Sequence, residues 1–121
     1  MIKGIGTDIS EVDRIARNLG NERFLRKIYT TAEEEYLASR KFNHQTAAGM
    51  FAAKEAVSKC LGTGFTNFGP CDIEIIRDEQ GKPGVVLRNN ALKRSEELDI
   101  EKIHLSISHT KDHAIAYCVA E

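Results

Sequence analysis

The sequence predicts an α+β fold, with helices packed on a small, mostly antiparallel sheet. Three observations carry that expectation. Apolar residues recur at helical spacing through the first half of the chain, most densely from Thr46 to Leu61. Two strand-like runs, Asp72–Arg77 and Val85–Arg88, flank the turn-forming Asp78-Glu79-Gln80-Gly81, which reads as a hairpin. Near the end, Ile103, Leu105 and Ile107 alternate with His104, Ser106 and Ser108, the period-two pattern of a half-exposed strand.

Met1–Thr7 reads as a first strand anchored by Ile2 and Ile5. Asp8 or Ser10 is placed to N-cap a helix, in which Val12, Ile15, Ala16 and Leu19 follow at helical spacing and Gly20 is the stop. Phe24–Tyr29 supplies another helical turn or two. Thr31-Ala32-Glu33-Glu34 has the S/T-x-x-E form of a capping box and starts a helix running to about Lys41. Thr46–Leu61 is apolar over most of its circumference through its alanines, Met50, Phe51, Val57 and Leu61, so it is the expected central buried helix, ended by Gly62. A glycine-bounded loop through Pro70 leads into the hairpin. Asn89 or Asn90 caps a helix to about Leu98, Lys102–Ser108 and His113–Ala120 are strands, and His109–Asp112 is the turn between them.

The 121 residues correspond to one domain, 1–121. A net charge of −1 argues against a nucleic-acid binder working by bulk electrostatics. No apolar run approaches the roughly 20 residues that cross a bilayer. Met1-Ile2-Lys3-Gly4 lacks the charged-then-apolar pattern of a signal peptide. Cys60, Cys71 and Cys118 are odd in number with no C-x-x-C spacing, which disfavours a disulfide framework or a thiolate zinc site; buried free thiols in a reducing cytoplasm are expected.

Four features bear on chemistry. The apolar central helix is interrupted by Lys54, Glu55, Ser58 and Lys59, with Glu55 and Lys59 on one face. On spacing alone that pair reads first as a surface ion pair. A helix this apolar exposes only a narrow strip, however, and that strip is where a site would open. Asp8 is the second feature, and by itself a capping residue. Together, Asp8 and Glu55 suit Mg²⁺, which takes one or two carboxylates and leaves its other positions to water and phosphate oxygens. The third is Ser106-Ile107-Ser108-His109-Thr110, in which His109 is a general base, a phosphate donor or a turn residue. The fourth is charge: Arg14, Arg17, Arg23, Arg26 and Lys27 against Glu22 make a local +4 in a chain of net −1, with Phe24 and Leu25 interleaved. Such a face steers an acidic partner, or serves only as a solvated helix surface.

Taken in order, these segments resemble the holo-acyl-carrier-protein synthases, the short trimeric class of phosphopantetheinyl transferases. The resemblance rests on Gly4-Ile5-Gly6-Thr7-Asp8-Ile9-Ser10-Glu11-Val12-Asp13-Arg14-Ile15, Phe51-Ala52-Ala53-Lys54-Glu55-Ala56-Val57-Ser58-Lys59, Gly81-Lys82-Pro83 and Ser106-Ile107-Ser108-His109, and covers the whole chain. Thr7 and Cys60 differ from the usual family residues at positions without a chemical role.

The resemblance implies the family's transferase fold and an activity. Coenzyme A and an apo-acyl carrier protein would give the holo-carrier and adenosine 3′,5′-bisphosphate, in support of fatty acid biosynthesis. It implies a cytoplasmic homotrimer with sites at subunit interfaces, acting on no nucleic acid and no membrane. Asp8, Glu55 and Lys59 are then the catalytic set, with Mg²⁺ on Asp8 and Glu55. Lys59, Gly62, Thr63, Gly64, Lys82, Pro83 and His109 line the coenzyme A site, and Arg14, Arg17, Phe24 and Arg26 dock the carrier. Asp8 through a metal-bound water, Glu55 and neutral Lys59 all stand as the base, and Mn²⁺ stands beside Mg²⁺. Two other readings are a non-catalytic module for an acidic helical protein and another Mg²⁺-dependent nucleotide pyrophosphate enzyme.

Overall fold

The computed structural model describes residues 1–121. Strand β1 (Gly4–Glu11) is followed by three short helices, α1 (Val12–Ala16), α2 (Glu22–Ile28) and α3 (Thr31–Ser39), and by the long helix α4 (His44–Cys60). A 3-10 turn at Pro70–Asp72 leads into the hairpin of β2 (Ile73–Arg77) and β3 (Pro83–Leu87). Helix α5 (Asn89–Glu97) and strands β4 (Ile103–His109) and β5 (His113–Ala120) complete the chain. All strand pairings are antiparallel, in a three-stranded sheet of order β1-β5-β4 and a two-stranded sheet β2-β3. The α+β expectation therefore holds.

The core lies between α4 and the inner face of the three-stranded sheet. That face is built from small residues: Gly4 and Gly6 on β1, and Ala114, Ala116, Cys118 and Ala120 on β5, the β5 residues all fully buried. Opposite them, Ala52, Ala53, Ala56 and Cys60 of α4 are buried to 2% exposure or less. Small surfaces on both layers bring the helix axis close to the sheet. The glycines are essential to this: a Cβ on Gly6 would overlap the Ala56 carbonyl oxygen, and one on Gly4 the Cys60 carbonyl oxygen. Both obstacles are backbone, which cannot rotate away. At the other end of α4, a Cβ on Gly49 would stand 2.9 Å from Cγ2 of Ile107 on β4.

Several element boundaries differ from the sequence reading. The first strand is not Met1–Thr7 but continues through Asp8 and Ser10 to Glu11, because its whole length pairs with β5, from Gly4↔Ala120 to Glu11↔His113. Asp8 and Ser10 are consequently strand residues, and the α1 N-cap is Glu11, with no side-chain cap bond. The capping box of α3 is one residue earlier than Thr31/Glu34: Thr30 Oγ1 accepts from Glu33 N, and Glu33 Oε1 accepts from Thr30 N. Neither Asn89 nor Asn90 caps α5; the N-cap is Arg88, while Asn89 donates to Asp72 and Asn90 to the Asn67 carbonyl. Gly62 does end α4, at φ 82°, and Gly81 forms the hairpin turn at φ 84°. Of the three thiols, Cys60 and Cys118 are buried, but Cys71 is only half-buried, its Sγ directed at the Arg26 carbonyl.

Candidate active site

Asp8 is held on the inner face of β1 by register. It pairs with Ala116, and as a strand residue it alternates with the outward-facing Thr7 and Ile9. The glycines at 4 and 6 let the C-terminal half of α4 ride directly on this strand, so Glu55 and Lys59, one helical turn apart on either side of Ala56, come down beside Asp8. Lys59 Nζ donates to Asp8 Oδ1 at 3.1 Å and to the Thr7 carbonyl at 3.1 Å. Lys59 thus bonds Asp8 across 51 residues of sequence. The helix-surface Glu55–Lys59 ion pair suggested by spacing is not formed.

Burial pushes the Glu55 carboxyl above its ordinary range, and the Asp8 carboxylate pushes it further; Lys59 and Arg14 offset this only in part. Two half-buried carboxylates form an oxygen-donor pair of the kind that suits a hard divalent cation.

Lys54 and Ser58 do not belong to the exposed strip. Lys54 is 1% exposed and points away from Asp8, into the seam between α3, α4 and the start of β2. Its ammonium bonds Glu33 Oε1 at 2.6 Å, the Ile73 carbonyl at 2.6 Å and the Pro70 carbonyl at 2.9 Å. Burial holds its pKa below the ordinary lysine range against the opposing pull of Glu33. Ser58 is fully buried, its hydroxyl donating back to the Glu55 carbonyl. Of the four polar residues Lys54, Glu55, Ser58 and Lys59, only Glu55 and Lys59 are accessible on α4.

The remaining predicted positions are spread more widely. Gly62, Thr63 and Gly64 follow Lys59 after Cys60 and Leu61, with Gly62 and Gly64 at positive φ. Thr63 lines a cavity of about 290 Å³ together with Asn90, Lys93 and Arg94. Lys82 and Pro83 lie at the hairpin turn of the second sheet, where the Lys82 N–H and carbonyl both bond Asp78. His109 ends β4 on the same face of the sheet as Asp8, but roughly 12 Å from it between Cα atoms: two strand spacings across and two residues along. One chain thus assembles Asp8, Glu55 and Lys59, with no direct bond from Lys82, Pro83 or His109 to any of them. Arg14, Arg17 and Arg26 are exposed and Phe24 is half-buried on α1 and α2, next to the site through α1, which packs on α4. Arg17–Asp13 at 4.0 Å and Arg26–Glu22 at 3.8 Å are solvent-exposed pairs of little energetic weight.

Two groups around the site escaped the sequence reading. Ser10, read as a cap, donates its hydroxyl to Asp8 Oδ2 at 3.2 Å. Glu33, read as a helix-start residue, is the buried counter-charge of Lys54. A signal for the second did exist: Lys54 has Met50, Phe51, Val57 and Ser58 at i±3 and i±4, so an ammonium in that apolar stretch needed a partner from elsewhere in the chain.

Comparison with known proteins bears on the same residues. Residues 4–118 match the family model described as the 4′-phosphopantetheinyl transferase superfamily. A holo-[acyl-carrier-protein] synthase of Clostridium botulinum is 51% identical over 122 residues, covering 100% of this chain and 98% of that protein. Among solved structures, the synthase of Neisseria meningitidis superposes with a TM-score of 0.91 at 36% identity, over 100% of this chain and 99% of the other. The Helicobacter pylori synthase in complex with coenzyme A superposes at 0.85 with 29% identity, over 97% and 99% of the two chains. With near-complete coverage in sequence and in fold, the chain belongs to the 4′-phosphopantetheinyl transferase superfamily, among its holo-[acyl-carrier-protein] synthases.

Proposed function

We infer that this chain transfers the 4′-phosphopantetheine arm of coenzyme A to a serine of an apo-acyl carrier protein, releasing adenosine 3′,5′-bisphosphate, and so supports fatty acid biosynthesis in the cytoplasm. The observation that carries the reading is the cluster of Asp8, Glu55 and Lys59 at the β1–α4 contact, in a chain of this family. In the reaction the serine oxygen forms a bond to the phosphorus bearing pantetheine, the pyrophosphate P–O bond breaks, and the hydroxyl proton passes to a base. Catalysis of this kind is mostly positioning and neutralisation of charge.

Asp8 and Glu55 would hold Mg²⁺, and their oxygen-only donor set fits that ion. When bound, the ion neutralises charge developing on the pyrophosphate oxygens. Lys59 contributes a fixed positive charge beside the same phosphates; bonded to Asp8 and to the Thr7 carbonyl, it is already oriented in the resting chain. Gly62, Thr63 and Gly64 extend the phosphate-binding strip from the end of α4. Arg14, Arg17, Phe24 and Arg26 offer the acidic carrier an apolar anchor within a basic rim.

Lys82, Pro83 and His109 complete the coenzyme A site from a neighbouring copy in a homotrimer. Support comes from the outer face of the three-stranded sheet, which leaves Ile5, Ile9, Ile115 and Tyr117 between 45% and 64% exposed. Ile5, Thr7 and Tyr117 of that face also line the hollow beside Lys59, so a copy seated there would border the catalytic cluster.

The test is to incubate the protein with coenzyme A, Mg²⁺ and apo-carrier and to weigh the products. A carrier heavier by one phosphopantetheine is the expected result. Coenzyme A cleaved without transfer would mark a pyrophosphohydrolase, and unchanged reactants a binding module.

A further inference from the structure

The carboxylate of Asp8 is held at both oxygens, and only one of the two holders belongs to the catalytic cluster. Oδ1 takes the Lys59 ammonium, while Oδ2 accepts the Ser10 hydroxyl at 3.2 Å. Ser10 lies two residues on in the same strand and so on the same inner face, and it is 7% exposed. Its backbone is fixed in the β1–β5 ladder opposite Ala114, a fully buried residue with no polar side-chain atom. A buried hydroxyl seeks a partner, and Asp8 is the one its side chain bonds. A carboxylate bonded at both oxygens is restricted about its side-chain torsions.

We propose that Ser10 is a positioning residue for the cation site: by holding Oδ2 it sets Asp8 in its ligating orientation before metal arrives. The proposal rests on the reading that Asp8 and Glu55 bind a divalent cation. Groups that orient metal ligands from behind contribute about 10–100-fold to metal affinity. A single neutral hydrogen bond from a hydroxyl belongs at the low end, so Ser10→Ala should weaken metal binding about 10-fold.

The measurement is Mn²⁺ occupancy of the full chain, followed by the electron paramagnetic resonance of free Mn²⁺, with coenzyme A present and carrier omitted so that nothing turns over. Ser10→Ala should bind Mn²⁺ about 10-fold more weakly, and Ser10→Thr, which keeps the hydroxyl, should bind it as wild type does. In turnover assays Ser10→Ala should require more metal for half-maximal rate while kcat at saturating metal stays near wild type; a merely structural defect would lower kcat at every metal concentration. Asp8→Asn and Glu55→Gln separate the positioning role of Ser10 from the cation site itself. If both lose Mn²⁺ while Ser10→Ala retains wild-type affinity, the positioning role is wrong and the cation site stands. If both bind Mn²⁺ as wild type does, the cation site itself is misplaced and the role of Ser10 falls with it.

Discussion

Replacing Lys54 by methionine should remove about 3–5 kcal/mol of folding stability, the usual effect of stranding one member of a buried ion pair. Methionine nearly matches the lysine stem in volume, so no large cavity opens and the loss is electrostatic. Three acceptors lose the ammonium at once: Glu33 Oε1 and the carbonyls of Pro70 and Ile73. Glu33, whose side chain is 0% exposed, would keep its bonds from the N–H groups of Thr30 and Ile75 but would have no counter-charge. With an unfolding entropy of about 2.1 cal/mol/K per residue, the expected fall in Tm is roughly 12–20 °C. Urea unfolding followed by circular dichroism, at constant m, reads the change directly. Lys54→Met combined with Glu33→Gln removes the stranded charge and should recover most of the loss. A Lys54→Met protein within 1 kcal/mol of wild type at neutral pH would show that Glu33 needs no counter-charge, contrary to the cost of an uncompensated buried charge.

Further outcomes follow from the same geometry. Glu55→Gln should largely abolish transfer yet make the metal-free protein more stable at neutral pH. The Glu55 carboxyl titrates above its ordinary range when folded, so its contribution is present in acid and lost as pH rises through the raised value, and the amide escapes that loss; equal thermal midpoints for the two proteins across pH would contradict this. Arg14→Ala should raise KM for the carrier several-fold and flatten the salt dependence of kcat/KM; a change confined to KM for coenzyme A would remove Arg14 from the docking face. Ile9→Glu, on the exposed outer face of the sheet, should leave the chain folded but reduce the proposed trimer to a monomer in sedimentation, and its activity with it; an active trimer would place the interface elsewhere.

The central helix was legible because its signal is local: alanine-rich periodicity and a closing glycine need no knowledge of the rest of the chain. The hairpin turn at Gly81 and the alternation in β4 were legible for the same reason. The capping alternative for Asp8 fails because polar residues before Val12 fit a helix start in sequence, whereas the strand there is maintained by its ladder with β5, more than a hundred residues away. Lys54 and Lys59 illustrate the limit most clearly. Both are lysines on one helix, yet one is 1% exposed on its side chain and the other 52%. Helical phase separates them, but what each faces depends on where α3 and β1 dock. Composition, spacing and order were enough to set the fold class, the family motifs and the residue types at Asp8, Glu55 and Lys59. Only the tertiary structure decided that Lys59 bonds Asp8, that Lys54 is neutralised by Glu33 and that Ser10 holds the far oxygen of Asp8. Those outcomes depend on the close approach of α4 to a strand with no Cβ at Gly4 and Gly6, which brings side chains far apart in sequence within hydrogen-bonding distance.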